Sequence, residues 1–92
     1  LELDTSLSRV TRESIAIELV PKEFALLQLL MRYPNKAFSA EALLDRLWSS
    51  DSSASVETVR THIKTLRRKL GDTDTNSLIR TTRGIGYRIV DS

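Results

Sequence analysis

The chain has no cysteine, which excludes disulfide bonds and thiolate metal sites and leaves the redox compartment undetermined. No apolar run approaches the roughly 20 residues that a membrane-spanning helix requires. The opening "LELDTSLSRV" has neither the basic nor the apolar region of a signal peptide. Because it also lacks an initiating Met, we expect a fragment of a longer protein. Its 92 residues suit a single domain, 1–92, held together by packing alone.

The residues of catalysis and cofactor binding are also scarce. His62 is the only histidine, and no other ligand stands at a spacing that would complete a metal site with it. Ser and Thr are plentiful, but no base and nucleophile form a recognisable pair. The segment "GIGYRI" lacks the third glycine and the following helix of a dinucleotide-binding loop. We therefore expect a protein that is not an enzyme and that uses no cofactor or metal.

What the sequence does have is an uneven distribution of charge. Residues 1–54 contain six Lys or Arg and eight Asp or Glu, whereas residues 55–92 contain eight and four. Small proteins often show such asymmetry by chance, and it also suits a basic face that binds a polyanion. Charge alone does not separate these two interpretations.

The hydrophobic pattern predicts an α+β fold that begins with a small antiparallel sheet. Residues 1–20 alternate weakly between apolar and polar side chains, with a turn at 12–14, and predict three or four short strands. The next segment, "PKEFALLQLLMRYPN", predicts the core helix, because Pro21 suits the first helical position and Pro34 ends the helix. A Ser, Thr or Asp in place of Val20 would form a better N-cap, and its absence costs about 1 kcal/mol.

Two further helices and a hairpin complete the pattern. The segment "SAEALLDRLW" predicts a shorter helix with Ser39 as its N-cap, and the Ser-rich residues 49–55 predict an exposed loop. The third helix occupies 55–70 and ends at Gly71. Two β-rich runs around "RGIG" then predict a β-hairpin over 78–90. This order predicts a winged helix-turn-helix, and the second helix of a helix-turn-helix lies in the major groove of DNA.

The third helix, "SVETVRTHIKTLRRKL", has an apolar side and a basic side. A helical wheel groups the apolar residues Val56, Val59, Ile63, Leu66 and Leu70. The adjoining arc holds the cations Arg60, Lys64, Arg67 and Arg68. Beyond them lie Thr61 and Thr65, with His62 and Lys69 on the far flank. Glu57 is the only acidic residue of this helix, although a solvated helix surface usually mixes Glu with Lys. Long cations reach phosphates and guanine edges, and Thr can approach a base closely, so this helix favours polyanion binding.

The predicted hairpin adds further cations and hydroxyl groups, namely Arg80, Arg83, Arg88, Thr81 and Thr82. Gly84 and Gly86 allow a tight turn with Arg83 at or near its tip, from which an arginine can enter a minor groove. A mobile, solvated arginine on an ordinary hairpin is the alternative. We expect His62 to pack or to donate to a phosphate, and Trp48 to lie in the core, from which its indole N–H could reach a phosphate.

Four segments of the chain resemble, in order and spacing, the C-terminal effector domain of OmpR/PhoB-type response regulators: "VPKEFALLQLL", "LLDRLW", "VETVRTHIKTLRRKL" and "IRTTRGIGYRI". The likeness covers nearly the whole chain. It implies a cytoplasmic bacterial transcription factor of a two-component system, in which a phosphoacceptor receiver domain precedes this domain. It also implies that two copies bind head to tail on direct repeats of double-stranded DNA.

The resemblance further implies roles for individual residues by motif match. Arg60, Thr61 and Thr65 would face bases, and Arg83 would enter the minor groove. The DNA backbone would be held by Thr58, His62, Lys64, Arg67, Thr81 and Tyr87. The helix and hairpin patterns add Trp48, Arg68 and Thr82 to these backbone contacts. RNA polymerase would be contacted by the loop at 49–55, through Ser49, Ser50, Asp51, Ser52 and Ser53.

Two positions on the recognition helix depart from the family pattern. Position 60 is often acidic or an amide in the family and is Arg here, whereas position 65 is often Arg and is Thr here. The base-reading pair is therefore rearranged, and an operator sequence cannot be carried over from the family. The family's usual Thr or Ser before the first helix is also replaced, by Val20.

Two other functions are compatible with the same fold. A winged-helix protein-interaction module would need an exposed apolar patch on the third helix, where the sequence has cations and Thr instead. A non-specific nucleic-acid binder would differ only in its specificity ratio. The formal net charge of +2 argues against it, because non-specific affinity depends almost wholly on phosphate neutralisation.

Overall fold

The computed structural model describes residues 2–4, 6, 9–73 and 77–90. The termini of the predicted domain, residue 1 and residues 91–92, lie outside these ranges. The described residues form β1 (Glu2–Asp4), β2 (Arg9–Arg12), β3 (Ile15–Glu18), α1 (Pro21–Arg32), α2 (Ala40–Leu47), α3 (Val56–Leu70), β4 (Ile79–Thr82) and β5 (Gly86–Ile89). The predicted order of sheet, three helices and hairpin is confirmed, and with it the α+β winged helix-turn-helix.

The N-terminal sheet places one face against the helices. Its three strands are antiparallel neighbours, and their register pairs Leu3 with Val10 and Val10 with Ile17. Directly paired residues project to the same face of a sheet, so these apolar side chains form a row, with Val10 fully buried at its centre. Glu13 and Ser14 form the turn between β2 and β3 with φ angles of 53° and 67°, where the sequence predicts a turn.

The start of α1 is stabilised without a capping side chain on Val20. Pro21 occupies the first helical position as predicted, and the helix ends two residues before Pro34. The Glu23 carboxylate accepts a hydrogen bond from the Val20 N–H at 3.1 Å. Glu23 is buried and forms an ion pair of 2.7 Å with Lys69 of α3. One carboxylate therefore satisfies part of the helix start and joins α1 to α3.

Local capping also fixes the limits of α2 and α3, as the sequence predicts. Ser39 Oγ accepts a hydrogen bond from a backbone N–H in the first turn of α2 at 3.0 Å. At the end of α3, Gly71 has a φ of 76°. The N–H groups of Gly71 and Asp72 donate to the carbonyls of Arg68 and Arg67 at 3.1 and 3.0 Å. This pair of bonds is a Schellman motif, for which glycine is favoured because it adopts the left-handed conformation without strain.

The hydrophobic core lies between the three helices and is closed by residues from both sheets. Its buried side chains are Val10, Leu26, Leu27, Leu30, Phe38, Ala40, Leu43, Trp48, Val59, Ile63, Leu66, Leu70, Leu78, Ile79 and Ile89. The predicted apolar side of α3 is confirmed, except that Val56 is only partly buried. No helix among the described residues has the length and apolar composition to cross a lipid bilayer.

A buried carboxylate connects the end of α3 to both sheets. The side chain of Asp72 has no exposed area and lies 2.8 Å from Arg12 Nη1 of β2. Its other oxygen accepts a hydrogen bond from the Ile79 N–H of β4 at 3.0 Å. Arg12 also donates to the Leu70 carbonyl at 2.6 Å. These bonds set the position of α3 relative to the hairpin, and that position determines the shape of the surface between them.

Candidate nucleic-acid interface

A groove, called here the helix–wing groove, runs between the exposed side of α3 and the wing formed by β4 and β5. Its lining includes the four predicted helix cations and two wing residues, namely Arg60, Lys64, Arg67, Arg68, Thr81 and Tyr87. The groove continues toward the start of α2, where it is lined by Ser39, Glu41, Thr82 and Arg83 among others. Arg60, Thr81 and Tyr87 border both parts. The fold thus brings the predicted cations of the helix and the predicted wing residues to one surface.

The wing is fixed to the body by backbone contacts with the segment before α2. Tyr87 and Phe38 exchange two backbone hydrogen bonds, each 2.8 Å long. The Asn35 N–H donates to the Ile89 carbonyl at 2.9 Å. Gly86 permits this approach, because a Cβ at that position would lie 2.1 Å from the Phe38 carbonyl oxygen. The wing is therefore held at a defined distance from α3.

The tip of the wing is a tight turn that carries Arg83. The strand register pairs Thr82 with Gly86, which leaves Arg83, Gly84 and Ile85 in the turn. The Ile85 N–H donates to the Thr82 carbonyl at 3.0 Å, and Gly84 has a φ of 79°. Arg83 and Ile85 are both exposed. The predicted position of Arg83 at the tip is confirmed.

The cations of α3 differ in what already holds them. Lys64 and Arg68 are exposed, and neither forms an ion pair within the described ranges. Arg67 is about one-third exposed and lies 3.9 Å from Asp72, and it donates to Ser77 Oγ at 3.2 Å. Two cations are therefore available to bind an anion, whereas Arg67 is partly committed to the fold.

Arg60 is held by the one acidic residue of its helix. Its Nη1 lies 2.5 Å from Glu57 Oε1, three residues earlier, and the two side chains are 56% and 76% exposed. The hydrogen bond and the negative charge of Glu57 raise the pKa of the Arg60 guanidinium, and Tyr87 adds a smaller effect in the same direction. The guanidinium is therefore charged and directed along the helix surface at the centre of the helix–wing groove.

The three threonines of α3 differ in exposure and in hydrogen bonding. Thr61 is exposed, whereas Thr65 is half-buried. Thr58 is also half-buried, and its Oγ1 accepts a hydrogen bond from the Ser55 N–H at 3.1 Å. Because a hydroxyl group both accepts and donates, Thr58 can cap the helix and still donate its proton to an anion.

A cluster where the three helices meet contains Trp48, His62 and Lys22. The Trp48 and His62 rings meet edge to face with centroids 5.1 Å apart, and Lys22 Nζ lies 5.4 Å from the Trp48 ring centre. Lys22 also donates to the Leu47 carbonyl at the end of α2. Trp48 is buried, so its predicted core position is confirmed. His62 Nδ1 lies 2.8 Å from the Thr58 carbonyl and must donate to it, which leaves Nε2 for any further partner.

Residues 49–55 connect α2 and α3, and all are exposed as predicted except Ala54, which is partly buried against the core. The Asp51 carboxylate accepts hydrogen bonds from Ser53 Oγ at 2.6 Å and from the Ser53 N–H at 3.0 Å. These bonds hold the pKa of Asp51 below its ordinary value of 3.8. The loop therefore presents an ordered, charged carboxylate to solvent.

Several contacts that shape this interface have little signal in the sequence. The exception is the contact between Glu57 and Arg60, whose spacing does give a signal, because residues three apart meet on a helix surface. Asp72 stands in a polar run after Gly71, and the Arg12 side chain that it binds is 60 residues away along the chain. The bridge between Phe38 and Tyr87 is likewise a contact between distant segments. Only the folded chain reveals these last two.

The chain is similar to transcriptional regulators. A family model described as "Transcriptional regulatory protein, C terminal" matches residues 12–89. The chain is 40% identical over 89 residues to the phosphate regulon transcriptional regulatory protein PhoB of Rhizobium meliloti, which covers 97% of this chain and 39% of that protein. It is 42% identical over 89 residues to the transcriptional regulatory protein TrcR of Mycobacterium tuberculosis, with 97% and 34% covered. The chain thus spans less than half the length of these relatives.

Solved structures with the same fold include two DNA-binding domains that were solved as complexes. The DNA-binding domain of the response regulator AdeR, in complex with an intercistronic region, superposes with a TM-score of 0.82 and 28% identity over 99% of this chain and 93% of that one. The RstA DNA-binding domain of Klebsiella pneumoniae, in complex with the RstA box, gives a TM-score of 0.82 and 26% identity over 96% and 88%.

Proposed function

Because this chain belongs to the family of C-terminal DNA-binding domains of OmpR/PhoB-type transcriptional regulators, we propose that it binds double-stranded DNA sequence-specifically to control transcription. The observation that carries this proposal is the helix–wing groove, in which exposed cations of α3 and the wing tip lie on one side of the molecule. Such a positively charged surface complements the negative charge of the phosphate backbone, and this attraction supplies much of the affinity for DNA.

In this proposal α3 enters the major groove and reads bases. Arg60 and Thr61 are exposed on the helix, and Arg60 lies at the centre of the helix–wing groove. An arginine reads guanine through O6 and N7, and a threonine can contact the methyl group of thymine. Thr65 is half-buried, so a base contact from Thr65 requires that the base edge approach the helix closely.

The wing contributes a second point of recognition. Arg83 lies at the tip of a narrow hairpin, and the negative potential of a narrow minor groove attracts an inserted arginine. The two backbone hydrogen bonds between Tyr87 of the wing and Phe38 before α2 fix the distance between this tip and α3. We propose that Arg83 enters the minor groove next to the major groove that α3 occupies.

Contacts with the DNA backbone set the position of the domain. Lys64 and Arg68 are exposed and form no ion pair within the described ranges, so they are the strongest candidates on α3. The other proposed contacts are Trp48, Thr58, His62, Arg67, Thr81, Thr82 and Tyr87. Trp48 is buried, so only its indole N–H could take part, and Arg67 would have to share its guanidinium with Ser77 and Asp72.

The remaining proposals concern the whole regulator. Two copies would bind head to tail on direct repeats, a receiver domain would precede this domain, and loop residues 49–53 would contact RNA polymerase. The ordered Asp51 carboxylate in that loop supports the last of these, because a fixed charge can form a specific contact with a cationic side chain.

A protein-interaction module remains the alternative from another functional class. Among the described residues, the exposed large apolar side chains are Ile15, Val20, Tyr33 and Ile85. None of them lies on α3, whose exposed positions are polar or charged. The surface that such a module would need is therefore missing from the recognition helix.

Two substitutions on α3 test the proposed base reading. A duplex selected from a random library provides the specific site, and affinity is then measured for each single-base variant of that site. Arg60→Ala should cost about 1–3 kcal/mol at one base pair and relax the preference there. Lys64→Ala should weaken binding to all sequences alike and reduce the slope of affinity against salt concentration by about 1. A uniform loss for both variants would show that Arg60 does not read a base.

A further inference from the structure

The ion pair between Glu57 and Arg60 differs from the other ion pairs in the described part of the chain. Those pairs involve carboxylates that are almost fully buried, Asp72 and Glu23. Two of them join segments far apart in sequence, Arg12 to Asp72 and Glu23 to Lys69. Glu57 and Arg60 instead lie on the same helix, and more than half of each side chain is exposed. An exposed pair at this spacing contributes little to helix stability because water screens it. The contribution of this pair to fold stability is therefore small.

The geometry of the pair determines which edge of the arginine is free. Glu57 binds Nη1 of Arg60. A guanidinium has five N–H donors in a rigid plane, so the bond to Glu57 does not use the edge formed by Nε and Nη2, and Tyr87 adds only a weaker hydrogen bond to the guanidinium. That edge presents two parallel donors, which is the arrangement that matches O6 and N7 of guanine.

The place of the pair on the fold puts the Arg60 side chain in the helix–wing groove. Arg60 borders both parts of the groove, and so does Tyr87 of the wing. Glu57 is in the first turn of α3, where the helix dipole favours a negative charge. The carboxylate is thus itself stabilised where it holds Arg60.

We propose that Glu57 determines sequence specificity by positioning Arg60, so that its free edge reads a single guanine. This inference rests on the proposed function. Without Glu57 the long Arg60 side chain can turn to a neighbouring phosphate or another base, and the preference for guanine falls. Glu57 has the opposite electrostatic effect on overall affinity, because its negative charge repels every DNA sequence equally. Loss of Glu57 therefore lowers selectivity at one base pair without weakening binding to DNA in general.

Glu41 provides a matched control for the charge of Glu57. It is an exposed acid in the first turn of α2, it lines the helix–wing groove, and it forms no ion pair within the described ranges. Glu41→Ala therefore removes the same charge from the same surface without releasing an arginine. Both positions are exposed, so the variants should fold, which circular dichroism verifies.

The experiment selects duplexes from a random library with the unaltered chain, then measures affinity for the selected site and for each of its single-base variants. Glu57→Ala should reduce discrimination at one guanine about 10-fold, and Glu57→Gln, which keeps an acceptor oxygen, should reduce it less. Glu41→Ala should change all affinities by a common factor. In an Arg60→Ala background, Glu57→Ala should no longer affect that position, because the residue acts only through Arg60.

Two results would overturn the inference while leaving the proposed function intact. One is a common factor for Glu57→Ala across all sequences, as for Glu41→Ala. The other is a loss at the guanine that persists in the Arg60→Ala background. A selection by the unaltered chain that enriches no sequence would instead refute sequence-specific binding itself, and the role of Glu57 with it.

Discussion

The close backbone contact between Gly86 of the wing and Phe38 provides a sharp test of how this fold builds its binding surface. Gly86 begins β5 and has a φ of 148°, and a Cβ there would lie 2.1 Å from the Phe38 carbonyl oxygen. Carbon and oxygen atoms rarely approach closer than about 3.3 Å. Because the atom in the way belongs to the backbone, Gly86→Ala must push the hairpin away from the segment before α2.

The expected loss follows from the bonds that this displacement breaks. The two hydrogen bonds between Tyr87 and Phe38 contribute about 0.5–1.5 kcal/mol each. A side chain at a disfavoured backbone angle adds about 1–3 kcal/mol. Gly86→Ala should therefore lower the free energy of unfolding by roughly 2–6 kcal/mol, a large part of the 5–15 kcal/mol typical of a domain. Gly84→Ala is the control, since Gly84 has a φ of 79° but no atom within 4 Å of its Cβ position. It should cost only about 1–2 kcal/mol.

Chemical denaturation measures both free energies, and affinity for a selected duplex measures the effect on function. At temperatures where the Gly86→Ala variant is still folded, its DNA affinity should fall, because the wing no longer holds Arg83 at the right distance from α3. The Gly84→Ala variant should lose less of both. Equal losses of stability in the two variants would refute the reasoning, since the approach to Phe38 would then have no energetic importance.

Two further outcomes follow from the carboxylates of the structure. Asp72→Ala should destabilise the domain by about 3–5 kcal/mol in denaturation experiments, because it removes the buried carboxylate that pairs with Arg12 and accepts a hydrogen bond from the Ile79 N–H; a loss below 1 kcal/mol would contradict this role. The hydrogen bonds from Ser53 lower the pKa of Asp51, so the turn that they form should persist at and above the ordinary value of 3.8 and be lost only as the pH falls further. The amide chemical shift of Ser53 followed by NMR during acidification should show a midpoint below 3.8, and a midpoint above it would contradict the observed geometry.

The sequence was informative about the site wherever position on a helix was sufficient. The wheel placed Arg60, Lys64 and Arg68 on the solvent side of α3, and all three are exposed. It gave Arg67 the same role, but that side chain is partly held by Ser77 and Asp72. Periodicity specifies the direction of a side chain from the helix axis and carries no information about what a distant segment places opposite it.

The far flank of α3 shows the same limit. The wheel places His62 and Lys69 on a flank beyond the cations and predicts that His62 packs or donates to a phosphate, but it names no partner for either residue. In the folded chain Lys69 pairs with Glu23 of α1, and His62 packs against Trp48. The missing cap at Val20, which the sequence presents as a cost, is partly supplied by the same Glu23.

The sequence by itself determined the elements and their limits, because these depend on interactions within a few residues. The apolar repeat of 3.6, Pro21 at a helix start, Ser39 as a cap and Gly71 as a stop act locally. Only the tertiary structure determined the backbone contact between the wing and Phe38 and the burial of Asp72. Those choices depend on contacts between segments far apart in sequence, which form only when the core has brought them together.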